Sequence, residues 1–131
     1  MATAREIQNE VVAAGRRLSA AIPEVYAGYS ALHAGAMRDG ALPARVKELI
    51  ALAIAVTREC DGCIAAHARS AVRRGVTAEE VAEAMGVVIL MNGGPGTVWG
   101  PRAYAAFEEY AAAGGTGPGR AAADGVSPRG S

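Results

Sequence analysis

Alanine supplies much of the apolar character of this 131-residue chain. It accounts for 31 of the 67 apolar residues, while the larger Leu, Ile, Val, Met, Phe, Tyr and Trp together number 34. In the first segment, Ile7, Val11, Ala14 and Leu18 recur at the three- and four-residue intervals of a helix. Similar signals follow along most of the chain, and strand signals are almost absent. The sequence therefore predicts an all-α fold whose helices pack closely around small side chains.

Proline, glycine and capping residues mark where these helices begin and end. Pro23 and Pro43 suit first helical turns, and Gly75 suits a helix end. Thr77 and Glu80 have the spacing of a capping box. These signals predict five to six helices, over about residues 5–20, 23–38, 44–57, 60–74, 78–91 and 101–113. The helix over 44–57 is apolar nearly all round, so we expect it to be buried, and we interpret residues 92–96 as a helix stop.

The chain is long enough for one domain and too short for two. We assign residues 1–113 to the helical domain and residues 114–131 to a disordered tail, because six of those 18 residues are glycine and two are proline. A single domain with so little apolar bulk would be only moderately stable. We therefore expect subunits to bury surface against one another in a homo-oligomer.

Charge and hydropathy exclude several classes of function. Thirteen basic residues balance thirteen acidic ones, which argues against a nucleic-acid surface. The longest uncharged apolar stretches, residues 49–56 and 85–91, fall far short of the roughly 20 residues that a membrane span needs. The first ten residues are polar and do not resemble a signal peptide. We expect a cytoplasmic protein with no membrane partner.

The cysteines carry the clearest chemical signal. Cys60, Cys63 and His67 stand at positions i, i+3 and i+7 of a predicted helix, so they share one face. The start of a helix favours a thiolate, but acidifying a thiol gains only a few-fold in rate, whereas acid–base help contributes about 10²–10⁴. His67 with Glu48 is the available pair of proton carriers, and Glu48 can return alongside the cysteines if the chain turns back near residues 57–59. These four residues are the predicted catalytic site.

Other interpretations of the cysteines are less demanding. Cys-x2-Cys-x3-His supplies three zinc ligands, although the sequence offers no obvious fourth because His33 is the only other histidine. Cysteines are also common as small buried hydrophobic residues. A thioredoxin-type site requires a βαβ setting that this chain lacks. We interpret His33 and Trp99 as packing residues.

At the residues around the cysteines the sequence resembles the carboxymuconolactone decarboxylase-like superfamily, in its AhpD-like (alkylhydroperoxidase D-like) branch. Its pattern of Glu, eleven residues, and Cys-x-x-Cys-x-x-x-His is filled by Glu48, Cys60, Cys63 and His67. The resemblance spans about residues 22–112 and continues in residues 22–26 (IPEVY), 39–42 (DGAL), 47–53 (KELIALA), 75–80 (GVTAEE) and 92–95 (NGGP). Gly62 departs from it, since some peroxidase members carry histidine there.

This resemblance implies an all-α fold that assembles as trimers or hexamers, and a two-cysteine peroxidase. It implies that Cys63 attacks the peroxide, that Cys60, nearer the surface, resolves the product to a disulfide, and that His67 and Glu48 shuttle protons. It further implies a small hydroperoxide substrate and a thiol reductant such as a lipoylated protein.

We therefore hypothesise an AhpD-like alkyl hydroperoxide reductase or dithiol–disulfide oxidoreductase that needs neither a metal nor a bound organic cofactor. One alternative is a carboxymuconolactone decarboxylase-like lyase of aromatic catabolism. Another is a non-catalytic redox sensor.

Overall fold

Six helices make up residues 2–116, the part of the chain that the structure, a computed structural model, describes. They are α1 (Ala4–Ala21), α2 (Pro23–Met37), α3 (Ala44–Thr57), α4 (Asp61–Arg73), α5 (Ala78–Asn92) and α6 (Gly94–Thr116). No strand occurs within residues 2–116, and none of the helices there is long and apolar enough to cross a membrane. The prediction of an all-α fold with five to six helices is confirmed.

Capping boxes begin α1 and α5. In α1, Glu6 N donates to Thr3 Oγ1 at 3.1 Å, and Thr3 N donates to Glu6 Oε1 at 2.9 Å. The predicted box of α5 has the same form, with 3.1 Å from Glu80 N to Thr77 Oγ1 and 3.0 Å from Thr77 N to Glu80 Oε1. Each box satisfies two backbone N–H groups that a helix start leaves without partners.

The core lies between α3, α4, α5 and α6, and α1 packs against α4. Small side chains stand at its closest contacts: Ala68, Ala71 and Ala103 are completely buried. A larger side chain at these positions would push the helices apart, because protein interiors are close-packed. Alanine thus occupies positions at which the helices approach one another closely.

Helix α3 is buried on one side only. Leu52, Ala55 and Val56 face the core, whereas Ile50 and Ile54 are exposed, Ile54 by 57%. The prediction that this helix is buried all round is therefore wrong for the single chain. Its apolar outer face is available to another molecule.

Helix α6 begins earlier than predicted. Gly93, with φ of +66°, ends α5 as expected of a helix stop, but α6 starts at the next residue and contains Pro101 within it. Pro95 tolerates this start because the first helical turn needs no N–H donor. Gly96 permits it because a Cβ there would lie 3.0 Å from the Cα of Ile89. The early start follows from a close backbone approach that helical periodicity does not encode.

Helix α6 also passes the predicted stop at Gly114 and ends at Thr116. The first residues of the predicted tail are therefore helical. The remainder of that tail, residues 117–131, lies outside the described residues.

Candidate functional site

A tight turn between α3 and α4 assembles the predicted site. The chain leaves α3 at Thr57, Glu59 adopts a left-handed φ of 53°, and Cys60 N donates to Ala55 O at 3.1 Å. Short polar and glycine residues adopt this region readily, whereas glutamate does so rarely. The turn lays α4 back along α3, so the predicted return of Glu48 to the cysteine-bearing helix is confirmed by its contact with His67.

Glu48 is the one charged side chain that is buried among the described residues, with 2% of its surface exposed. Its Oε1 lies 2.9 Å from His67 Nδ1, and its Oε2 lies 3.6 Å from Arg74 Nε. Burying a carboxylate is costly unless it is paired and hydrogen-bonded. His67 and Arg74 supply that pairing from the more accessible side, with 22% and 46% of their side chains exposed.

The imidazole is therefore oriented by a buried carboxylate. A hydrogen bond at Nδ1 fixes the ring and leaves Nε2 as the nitrogen for proton exchange with another group. Histidine oriented in this way is a common general acid or base.

Cys60 and Cys63 are joined by a disulfide, with their Cα atoms 5.2 Å apart. Cys60 is the N-cap of α4, and its sulfur accepts a hydrogen bond from Cys63 N at 3.2 Å. Cys63 lies one helical turn before His67 on the same helix. The pair thus stands at the positive end of the α4 dipole, which favours negative charge on sulfur.

The exposure of the two cysteine residues differs from what the family resemblance implies. In the single chain Cys63 is exposed and Cys60 is half-buried, so Cys60 is not the more exposed residue. The backbone N–H of Cys60 is bonded to Ala55 O, which holds this residue against the end of α3. Neither cysteine is a buried hydrophobic residue, which removes that alternative interpretation.

Gly62 has a steric reason to lack a side chain. A Cβ at this position would lie 3.3 Å from Cγ2 of Val11 in α1. A side chain at this position therefore requires the Val11 side chain to shift by a few tenths of an ångström.

His33, predicted to be a packing residue, is not part of the core of the single chain. Its side chain is exposed, and its ring lies nearly parallel to that of His67, with centroids 6.4 Å apart and planes at 16°. Tyr29, one turn earlier in α2, lies a further 6.4 Å from the His33 ring. No spacing in the sequence links His33 to a residue 34 positions later, since only the placement of α2 brings them together.

Trp99 does pack as expected. It is half-buried against the core, and Arg102 Cζ lies 4.5 Å above its ring.

Within residues 2–116, no three His, Cys, Asp or Glu side chains converge into a group suited to a metal ion.

Known proteins resemble this chain in sequence and in fold. The model of the carboxymuconolactone decarboxylase family matches residues 23–112. An uncharacterized protein of Cupriavidus necator is 41% identical over 91 residues, which cover 70% of this chain and 80% of that protein. An uncharacterized protein of the cox locus of Paracoccus denitrificans is 39% identical over 71 residues, covering 54% of this chain and 64% of its own length.

A solved structure agrees with this similarity. The crystal structure of an apo carboxymuconolactone decarboxylase family protein from Legionella pneumophila superposes with a TM-score of 0.81 at 36% identity. The match covers 82% of this chain and 96% of the Legionella chain. The shared fold therefore extends over most of this chain.

Proposed function

The chain belongs to the carboxymuconolactone decarboxylase family, and we propose that it is a thiol-dependent hydroperoxide reductase of the AhpD-like type. Cys60 and Cys63 would form the redox pair, and Glu48 with His67 would move protons. The observation that carries the proposal is the buried Glu48 carboxylate 2.9 Å from His67 Nδ1, one turn from a cysteine pair within disulfide distance. A packing histidine has no need of a buried carboxylate.

The proposed reaction begins with the reduced pair. The Cys63 thiolate attacks the peroxide oxygen, the O–O bond breaks, and Cys63 becomes a sulfenic acid. The leaving alkoxide takes a proton from His67 and departs as an alcohol. The exposure of Cys63 in the single chain supports its role as the attacking sulfur, because the peroxide must reach it.

The second half returns the site to its resting state. The Cys60 thiol attacks the sulfenic sulfur, a water molecule leaves, and the Cys60–Cys63 disulfide forms. An external dithiol, such as the dihydrolipoyl group of a lipoylated protein, then reduces this disulfide by exchange and becomes a disulfide itself. Because the cycle depends on a reducing compartment, the proposal places the protein in the cytoplasm.

The test is peroxide consumption by the purified protein with dihydrolipoamide and a small alkyl hydroperoxide. We expect Cys63→Ser to abolish turnover and Glu48→Gln to lower it by about 10²-fold or more, in the range of general acid–base catalysis. Glu83→Gln makes the same change at an exposed glutamate of α5 and serves as the control, with turnover expected to equal that of the wild type.

Three outcomes would contradict the proposal. Undiminished consumption by Cys63→Ser would exclude the thiol mechanism. A reversible disulfide without turnover would favour the redox sensor. Lactone-decarboxylating activity that survives alkylation of both thiols would favour the lyase, the reaction after which the family is named.

We also propose that the protein is a homo-oligomer, a trimer or a hexamer. Helix α2 has no buried residue, and Val25, Tyr29 and Leu32 on it are each more than 60% exposed. Leu90 and Met91 at the end of α5 are exposed by 77% and 76%. Extended apolar exposure of this kind is typical of surfaces that bind another protein. A second copy of this chain is the partner that we propose, because the single domain has little apolar bulk of its own to bury.

A further inference from the structure

A cleft between α1, α4 and α6 is lined by arginines and contains none of the proposed redox residues. It has a volume of about 790 Å³, within the range of small-molecule sites. Its lining residues are Arg5, Gln8, Asn9, Val12, Ala13, Arg16, Arg69, Val72, Arg73, Tyr110, Ala113 and Gly114. Four of these twelve are arginine and none is acidic.

The four arginines come from two helices. Arg5 and Arg16 share one face of α1, three turns apart, and Arg69 and Arg73 are four residues apart on α4. Residues with these spacings project to the same side of a helix. The packing of α1 on α4 therefore turns two basic helix faces towards a single cleft.

Three of the four arginines of this cleft have no salt bridge within residues 2–116, because no acidic side chain there lies within salt-bridge distance of Arg5, Arg16 or Arg73. Glu109 does not line the cleft, although its charge acts on Tyr110; its carboxylate accepts from Ala4 N at 3.0 Å and from Arg5 N at 3.3 Å at the start of α1. In a chain with zero formal net charge, such a concentration of like charge raises the potential locally and attracts anions.

The floor of the cleft is polar at one end and apolar at the other. The buried Tyr110 hydroxyl donates to Gln8 Oε1 at 2.7 Å, which leaves the amide NH2 of Gln8 as a further donor. Burial raises the pKa of Tyr110, so this hydroxyl stays protonated as a donor across the neutral range. Val12 and Val72 supply the apolar surface.

We propose that this cleft binds a small molecule that carries several anionic groups, phosphates or carboxylates, together with an apolar part. Guanidinium groups match both kinds of anion in a two-pronged geometry. A ligand with several anionic groups suits this spacing, because Arg5 and Arg16 are about 16 Å apart along the backbone of α1, from eleven residues at roughly 1.5 Å each.

The experiment is titration calorimetry of the full-length protein with two probes, inorganic tripolyphosphate and citrate. We expect saturable 1:1 binding per chain of at least one probe. Arg16→Gln and Arg73→Gln should each weaken it by about tenfold, as expected for the loss of a charge-assisted hydrogen bond. Arg17→Gln is the matched control, because Arg17 is the next residue on α1, is exposed and does not line the cleft.

The outcomes separate a built site from general attraction to positive charge. The proposal is overturned if Arg17→Gln weakens binding as much as Arg16→Gln does. It is also overturned if neither probe shows saturable binding. If Arg16→Gln instead lowers the oligomeric mass in light scattering while neither probe binds, the cleft is a subunit contact and the proposal is wrong. Circular dichroism melts of each variant establish that it is folded, and peroxide consumption is not part of the readout.

Discussion

Replacing His67 with phenylalanine tests how the buried carboxylate is held. In the folded chain Glu48 has two polar partners, and His67 is the closer one, at 2.9 Å compared with 3.6 Å for Arg74. Phenylalanine fills the volume of the imidazole, offers no donor and admits no water. It therefore leaves Glu48 Oε1 buried without its hydrogen bond.

The size of the effect follows from which partner is buried. Leaving a buried acceptor without its hydrogen bond costs about 1–3 kcal/mol, and Glu48 is only 2% exposed, although Arg74 remains 3.6 Å from its Oε2. His67→Phe should therefore lower the free energy of unfolding by about 2–3 kcal/mol. His67→Gln keeps a donor and should cost only about 1 kcal/mol.

Adding Glu48→Leu to His67→Phe should then restore stability. The double variant has no buried charge, and Arg74, already 46% exposed, returns to water. An apolar pair in place of a buried ion pair is often neutral or stabilising, so we expect the second substitution to recover about 2 kcal/mol.

Urea denaturation at pH 7 measures these differences, with the disulfide intact and the protein concentration held constant because the protein is expected to associate. His67→Gln is the control for loss of the imidazole itself. The reasoning is refuted if His67→Phe is no less stable than His67→Gln, or if Glu48→Leu adds to the loss instead of reversing it.

Three further predictions concern the rest of the fold. The Arg45 guanidinium, hydrogen-bonded to Glu80, lowers the pKa of that carboxyl below its usual 4.5. The stability that this interaction provides is present above the unfolded pKa and is lost as the pH falls through the folded pKa. In denaturant titrations, Glu80→Gln should therefore destabilise the protein at pH 7 and have no effect at about pH 2. Gly96→Ala should lower the free energy of unfolding by about 1–3 kcal/mol, because its Cβ would meet the backbone of α5. Gly86→Ala has open space around its Cβ, so in the same assay it should raise the free energy of unfolding by up to about 1 kcal/mol. Leu90→Glu should lower the mass measured by light scattering, and an unchanged mass would exclude this residue from the subunit contact.

Local sequence patterns predicted the elements of this protein well. The bounds of α3, the capping box of α5 and the positions of Cys60, Cys63 and His67 on one helix all depend on residues within a few turns of each other. Proline, glycine and apolar spacing act at this range, because they determine backbone angles and which side of a helix is apolar. The start of α6 was missed because Gly96 responds to the backbone of another helix.

The tertiary structure determined which side chains surround α4, the helix that begins at the cysteine pair. The position of α2 brings His33 beside His67, and the packing of α1 on α4 gathers the arginine cleft, although neither arrangement has a signature in the spacing of the sequence. The sequence alone determined an all-α chain with a cysteine pair and a histidine on one face, since those depend on local periodicity. The partner of that histidine, the exposure of each cysteine residue and the charge of the cleft depend on the angles at which helices cross. Side-chain packing sets those angles only when the whole chain has folded.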